Sequence, residues 1–280
     1  MASKTNSSKG KLDVSTVAGI VVALAGIVGG LILEGGRFSD VSSITAAMIV
    51  VAGTLGAVMI TTPLPQLLKA GRSVTGVFWD NTPSNEASIE QILQFARQAR
   101  RNGLTSLESE VEQLAEPFLK KSLSLAVDGA DLQDIRRIME LEIELADHRG
   151  EAAAKVYETA GGYSPTIGII GAVLGLIQVM KHLEDIERVG HGIAVAFIAT
   201  VYGVAFANLF LLPAGAKLRG RLESRLKNHE LVLEGVLSLA EGMNPMLIKS
   251  KLEAYIEGGS SQPASAPDHA QVPSESRSAA

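Results

Sequence analysis

The sequence predicts an all-α membrane protein, with four transmembrane helices and a large helical cytoplasmic region between helices 2 and 3. Three observations predict it. The chain has 280 residues, of which 46% are hydrophobic, and its mean hydropathy is positive. Its apolar residues gather into uncharged runs at Val14–Leu33, Val41–Leu68, Ala160–Met180 and Gly192–Ala216. Each run reaches the roughly 20 residues that a helix needs to cross about 30 Å of hydrocarbon. The runs also lack the alternation of barrel strands, and only helices and closed barrels satisfy their backbone groups in lipid. The competing reading is a soluble protein with four buried core helices, which the clumping of the runs disfavours.

Composition removes several function classes. The chain has no cysteine, so it offers no disulfide framework and no thiolate metal site. Its five histidines are scattered, without metal-ligand spacing. A net charge of −5 and only 4% aromatic residues argue against nucleic-acid binding. No nucleophile–base set and no phosphate loop is visible, so no enzyme and no cofactor is expected.

The elements follow in order. Residues 1–11 form a cytoplasmic N-terminus carrying Lys4, Lys9 and Lys11. The apolar run behind them is longer than the roughly 7–15 residues of a signal-peptide core, and a second run follows closely. It reads as a retained anchor, so residues 12–75 hold transmembrane helices 1 and 2. Residues 76–159 form a helical cytoplasmic domain. Within it Ile89, Ile92, Leu93 and Ala96 recur at helical spacing. Gly103 stops that helix, and Thr105-x-x-Glu108 reads as a capping box opening the next. The stretch Leu132–Val156 is rich in helix formers and leads toward span 3. Residues 160–216 hold transmembrane helices 3 and 4, the expected ion pathway. Residues 217–256 form a cytoplasmic C-terminal helix, and the Pro/Ser/Ala-rich residues 257–280 form a disordered tail.

Loop charge sets the orientation. Lys69 and Arg72 follow span 2, and Lys217, Arg219 and Arg221 follow span 4. The connections "EGGRFSD" and "KHLEDIERVGH" are poorer in positive charge. Both termini and the middle domain are therefore expected in the cytoplasm.

Small residues dominate the spans. Gly26-x-x-x-Gly30 lies in span 1, and Gly168, Gly171 and Gly175 lie in span 3. Such glycines let backbones approach, either within one chain or between copies. Pro165 reads as a first-turn proline that starts span 3. Pro213, late in span 4, removes a backbone bond and makes either a static kink or a hinge. No span has an acidic residue in its interior, although proton and sodium relays in membranes depend on such groups. Thr200 offers a hydroxyl, which either lines an ion path or bonds its own helix. The missing carboxylate points to a partner subunit that supplies one. Tyr202 and Asn208 have no assigned role.

The quoted segments "SPTIGIIGAVLGLIQVM" and "HGIAVAFIATVYGVAFANLFLLPAGAKL" closely resemble the last two membrane helices of MotA/PomA flagellar stator subunits. "RRNGLTSLE", Arg100 to Glu108, is similar to that family's Arg-x-x-Gly-(L/M)-x-x-Leu-Glu stretch. The resemblance runs to about residue 255. It implies a stator of the bacterial flagellar motor in the inner membrane. There, MotA-like chains form a homo-oligomeric ring, a pentamer, around a pair of MotB-like chains. The MotB-like partner brings the intramembrane aspartate and the peptidoglycan anchor, and ion flow drives rotation against the rotor protein FliG. By the same resemblance, Pro165 and Pro213 take part in conformational coupling, Thr200 lines the ion path, and Arg100 and Glu108 contact the rotor. Ala172, seven residues after Pro165, stands where sodium-driven members tend to carry threonine, so H+ is favoured over Na+. Gly162 stands where many relatives are acidic, so that carboxylate's role does not carry over.

Two rivals remain. An ExbB/TolQ-type energiser shares the last two helices and borrows a carboxylate, but has three spans and an outward N-terminus. A self-contained secondary transporter needs its own charged or unwound intramembrane site, and none is visible.

Overall fold

Capping side chains decide where the apolar runs begin to coil. The computed structural model describes residues 11–80 and 84–259. The expected N-terminal tail, up to residue 10, and the expected disordered tail from residue 260 lie outside the described residues. Asp13 opens α1, Val14–Leu33, by accepting from the Thr16 N–H at 3.1 Å. Ser43 opens α2, Ile44–Thr61, in the same way. The second apolar run continues to Leu68, but this helix does not. Pro63 lacks an N–H and forces Thr62 into extended backbone, so Leu64–Ser73 forms a separate helix, α3. After α4, Thr75–Phe78, the residues Trp79–Asp80 (β2) pair antiparallel with Lys11–Leu12 (β1). This two-residue ladder is the only sheet among the described residues, and the fold is otherwise helical.

In the middle domain, α5 spans Asn85–Asn102 and stops at Gly103, whose φ of 86° suits glycine. The Thr105-x-x-Glu108 capping box does not form. Thr105 lies inside a 3₁₀ turn, Leu104–Leu107, that follows Gly103 directly, and α6, Glu108–Glu112, has no side-chain cap. Burial explains the difference: folding the turn inward places Leu107 and Val111 in the core. Next comes α7, Pro117–Val127, capped by Glu116.

The two longest elements join membrane and domain. Leu132–Val156 and span 3 are one helix, α8, Leu132–Lys181. Its 50 residues at about 1.5 Å each extend about 75 Å, more than twice the hydrocarbon thickness. Pro165 therefore sits inside a helix and does not start one. An interior proline costs about 3 kcal/mol, and packing against neighbouring helices on several sides offsets it. The returning rod of the pair is α9, Ile186–Phe206, a π-helical turn at Ala207–Leu211, and α10, Leu212–Ala240. Gly242, at φ 74°, then reverses the chain into α11, Pro245–Gly259. The expected helix 217–256 is thus two helices, and the second extends past its expected end.

Among the described residues, four helices are long and apolar enough to cross a membrane, as the apolar runs predict. α8 is central among them and packs on α2, α9 and α10. α1 contributes no buried residue. A Cβ at Gly26 or Gly30 would meet nothing within 4 Å among the described residues, so this pair does not pack within the chain.

Beyond the spans, α5, α7, the start of α8, the end of α10 and α11 enclose one core. It includes Ile89, Ile92, Leu93 and Ala96, as their spacing predicts, with Leu123, Met139, Val236 and Leu252. Buried Asn228 crosses it, donating to Asn85 Oδ1 at 3.0 Å and Ser88 Oγ at 2.9 Å. At Gly235, α10 approaches α5 closely: a Cβ there would lie 2.7 Å from Ile92 Cδ1. Gly235→Val should therefore destabilise this domain by about 1–3 kcal/mol through overpacking. Thermal melting of the full chain in detergent, followed by limited proteolysis, checks it.

Candidate ion pathway

The wall between α8 and α9 is built from backbone. A Cβ at Gly168 would lie 2.8 Å from the Ala199 carbonyl oxygen, and one at Gly175 would lie 2.9 Å from that of Gly192. On the facing helix, a Cβ at Gly203 would lie 2.7 Å from the Ser164 oxygen. Only glycine permits this approach. The Gly171-x-x-x-Gly175 pair therefore works within the chain, with Gly171 against Ala199 and Gly175 against Ala196.

Thr200 lies beside this seam, its Cα 3.4 Å from where a Gly168 Cβ would stand. It is half-buried, and its hydroxyl donates to the Ala196 carbonyl at 3.3 Å. Ala172, also half-buried, is one turn along α8 from Gly168. Tyr202 has a structural task that the sequence did not disclose. Its hydroxyl donates to the Val41 carbonyl at 2.6 Å and accepts from the Ser43 N–H at 3.3 Å, tying span 4 to the start of span 2.

Each proline stands close in sequence to one contact between the helices. Pro165 cannot bond the Gly161 carbonyl, and Gly161 is where Leu212 packs, one residue before Pro213. Buried Ser164 donates to the Gly203 carbonyl at 2.9 Å and fastens the helices beside Pro165. Pro213 does not simply delete a bond from a regular helix. It stands in the first turn of α10, directly after the π turn. The wider turn makes room for the ring, and π turns are a known cause of bends. Asn208, within that turn, donates to the Val204 carbonyl at 2.9 Å.

Arg100 and Glu108 flank the Gly103 turn, and both are exposed. Neither forms an ion pair among the described residues. The turn that carries them is held from beneath by buried Leu107 and by Gln98, which donates to Glu110 Oε1 at 2.9 Å. Gly162, on α8, is exposed.

Asp13 was not anticipated from the sequence. Its carboxylate accepts from Lys217 Nζ at 2.5 Å and from Arg221 Nη2 at 2.7 Å. The signals were an Asp-x-x-Thr at the start of span 1 and two cations four apart after span 4. Their distance in sequence concealed the pairing. Lys217 first and then the Ser15 hydroxyl, with lesser help from Arg221 and the Thr16 N–H, hold its carboxyl well below the usual carboxylate range and together outweigh the opposing cost of burial.

Residues 17–103 match the family described as Motility protein A N-terminal. Residues 110–231 match the MotA/TolQ/ExbB proton channel family. Motility protein A of Bacillus subtilis (strain 168) is 35% identical over 249 residues, covering 88% of this chain and 91% of that protein. The chain belongs to the motility protein A family. Among solved structures, that of C. jejuni MotAB superposes with a TM-score of 0.83 at 31% identity, covering 91% of this chain and 98% of that one. The flagellar MotAB stator complex from Bacillus subtilis gives a TM-score of 0.79 at 36% identity, covering 86% and 95%. The match over residues 17–103 places the chain with motility protein A and not with the ExbB/TolQ-type energisers. The family is one of proton channels, not enzymes.

The low pKa of Asp13 sets a pH expectation. A depressed carboxylate contributes stability above its unfolded pKa of about 3.9, and that stability is lost only as pH falls through the folded value. Asp13→Asn keeps the helix cap and removes the charge. It should lower stability by about 1–3 kcal/mol, and by the same amount at every pH from about 5 to 8. Melting both proteins across that range tests this.

Proposed function

We propose that this chain is the ion-conducting stator subunit of a bacterial flagellar motor, coupling proton flow to torque on the rotor protein FliG. One observation carries the proposal: α8 and α9 form a close-packed wall with hydroxyls but no carboxylate in its interior. A wall of this kind conducts only when another chain supplies the ionisable group. The relatives of matching fold were solved as MotAB complexes. The missing group then belongs to a MotB-like subunit with an intramembrane aspartate, surrounded by a homo-oligomer of this chain, a pentamer by family resemblance. Loop charge supports an inner-membrane protein with both termini in the cytoplasm.

The roles follow from position. Thr200 and Ala172 line the ion path, and alanine at 172 favours protons because it offers no hydroxyl to replace the hydration shell of sodium. Pro165 and Pro213 form the conformational coupling point, supported by the Gly161–Leu212 contact and the π turn. Arg100 and Glu108 present to the rotor charges that no ion pair among the described residues neutralises. Exposed charges of this kind steer and register repeated contacts more than they add affinity.

Two measurements test the reading. Reconstituted alone in liposomes, the chain should pass no protons, whereas co-reconstitution with its MotB-like partner should open a flux. Robust flux from the chain alone would overturn the borrowed carboxylate. Charge reversal at Arg100 or Glu108 should lower swimming speed in a motility assay while flux and assembly with the partner stay near wild type. Lost assembly would instead make these residues structural.

A further inference from the structure

Span 1 is attached to its own chain in an unusual way. Helices in lipid associate through close packing and hydrogen bonds, yet α1 contributes no buried residue. A Cβ at Gly19, Gly26, Gly29 or Gly30 would meet nothing within 4 Å among the described residues. The described attachments lie at the N-terminal end. Asp13 N–H donates to the Phe78 carbonyl at 2.8 Å, β1 pairs with β2, and α1 touches α4. The Asp13 carboxylate then grips α10 through Lys217 and Arg221.

Arg221 reaches further than a simple ion pair. Besides its Nη2 contact to Asp13, its Nη1 donates to the carbonyl of Trp79 at 2.6 Å and to that of Gly76. One guanidinium thus gathers the start of span 1, the segment leaving span 2 and the helix continuing span 4. The side chains of Arg221 and Asp13 are only 13% and 12% exposed. A planar fork with several fixed donors suits this task, and a lysine ammonium does not.

The location gives the cluster its meaning. Lys217 and Arg221 are four apart on α10 and share a face. They lie about one and two turns beyond Pro213. Pro213 and the π turn stand between them and the glycine seam. Beside the turn is a groove of about 560 Å³, bounded by Gly19 and Ala23 of α1 and by Phe206, Asn208 and Pro213. Across that groove α1 is not packed on the bend. Movement at the bend therefore reaches span 1 beyond the groove, through the ionic cluster and through α4, which contacts both α1 and α10.

We propose that Asp13, Lys217 and Arg221 are positioning residues that make span 1 and the Gly76–Trp79 segment follow α10 whenever the helix bends at Pro213. The proposal rests on the hinge reading of Pro213. Span 1 and the part of α10 beyond the hinge then move as one body relative to the seam. Asp13 stays ionised at physiological pH, so the joint is permanent and not a switch.

The chain has no cysteine, so paired spin labels can be placed freely. Val21→Cys on α1 and Glu223→Cys on α10 are both exposed. They report the distance across the joint in the full chain assembled with its MotB-like partner in lipid, diluted into unlabelled chain. The expected result is a narrow distance distribution that becomes roughly twofold broader in Asp13→Asn and Arg221→Gln. Arg221→Lys should broaden it less. A control pair, Ser109→Cys with Glu223→Cys, should stay unchanged within the cytoplasmic domain. Swimming speed should fall while proton flux per stator is retained. An unchanged joint distribution in Asp13→Asn and Arg221→Gln overturns the proposal, and so does equal broadening of the control pair. If either variant fails to insert, Lys217→Gln and Arg221→Lys, which keep at least one cation on Asp13, decide on the same criterion. A Pro213→Ala variant with wild-type speed sinks the hinge, whereas the label distances judge the joint independently.

Discussion

Backbone contact between α8 and α9 is the constraint on which the rest of the structure depends. Lipid gives two apolar helices no hydrophobic reason to meet, so they meet where their surfaces can come closest. Gly168 and Gly175 on one helix, with Gly192 and Gly203 on the other, remove the side chains that would hold them apart. The distances leave no space for a methyl group. That closeness places Thr200 at the seam and brings the Ser164 hydroxyl within reach of the Gly203 carbonyl. It also leaves a wall with hydroxyls but no charged side chain in its interior.

The same two helices leave the membrane without stopping. α8 runs for 50 residues and the α9–α10 pair for 55, so the packed wall and the core beyond the spans are ends of shared rods. Rods transmit displacement except where they yield. The weak points are Pro165, inside α8, and the π turn before Pro213, and they face each other through Gly161 and Leu212. At the far end, the core around Ile92, Leu107 and Val236 is firm and carries Arg100 and Glu108 on its surface.

Much of this was legible in the sequence, where local chemistry decides. Uncharged runs located all four spans. The spacing of Ile89, Ile92, Leu93 and Ala96 found a core face, and Gly103 ended its helix at a backbone angle that favours glycine. The misread positions share a cause. Thr105-x-x-Glu108 has the chemistry of a helix start, but burying Leu107 outweighs a cap that contributes about 1 kcal/mol. Pro165 looked like a helix start because its local cost is high, and packing along α8 offsets that cost. Pro63 was overlooked inside a run that hydropathy alone reads as continuous.

The sequence by itself determined which segments enter the membrane, which face of the middle domain is buried, and that no span carries a carboxylate in its interior. Those features follow from composition and short-range periodicity, which need no knowledge of neighbours. Only the tertiary structure decided which glycines touch: Gly171 and Gly175 close on α9, whereas a Cβ at Gly26 or Gly30 would meet nothing within 4 Å among the described residues. Only it joined Asp13 to Lys217 and Arg221, and Tyr202 to Val41. The reason is physical: the glycine contacts depend on how two helices pair, the Asp13 and Tyr202 contacts on the path of helices across more than 150 residues, and a pattern read a few residues at a time holds no record of either.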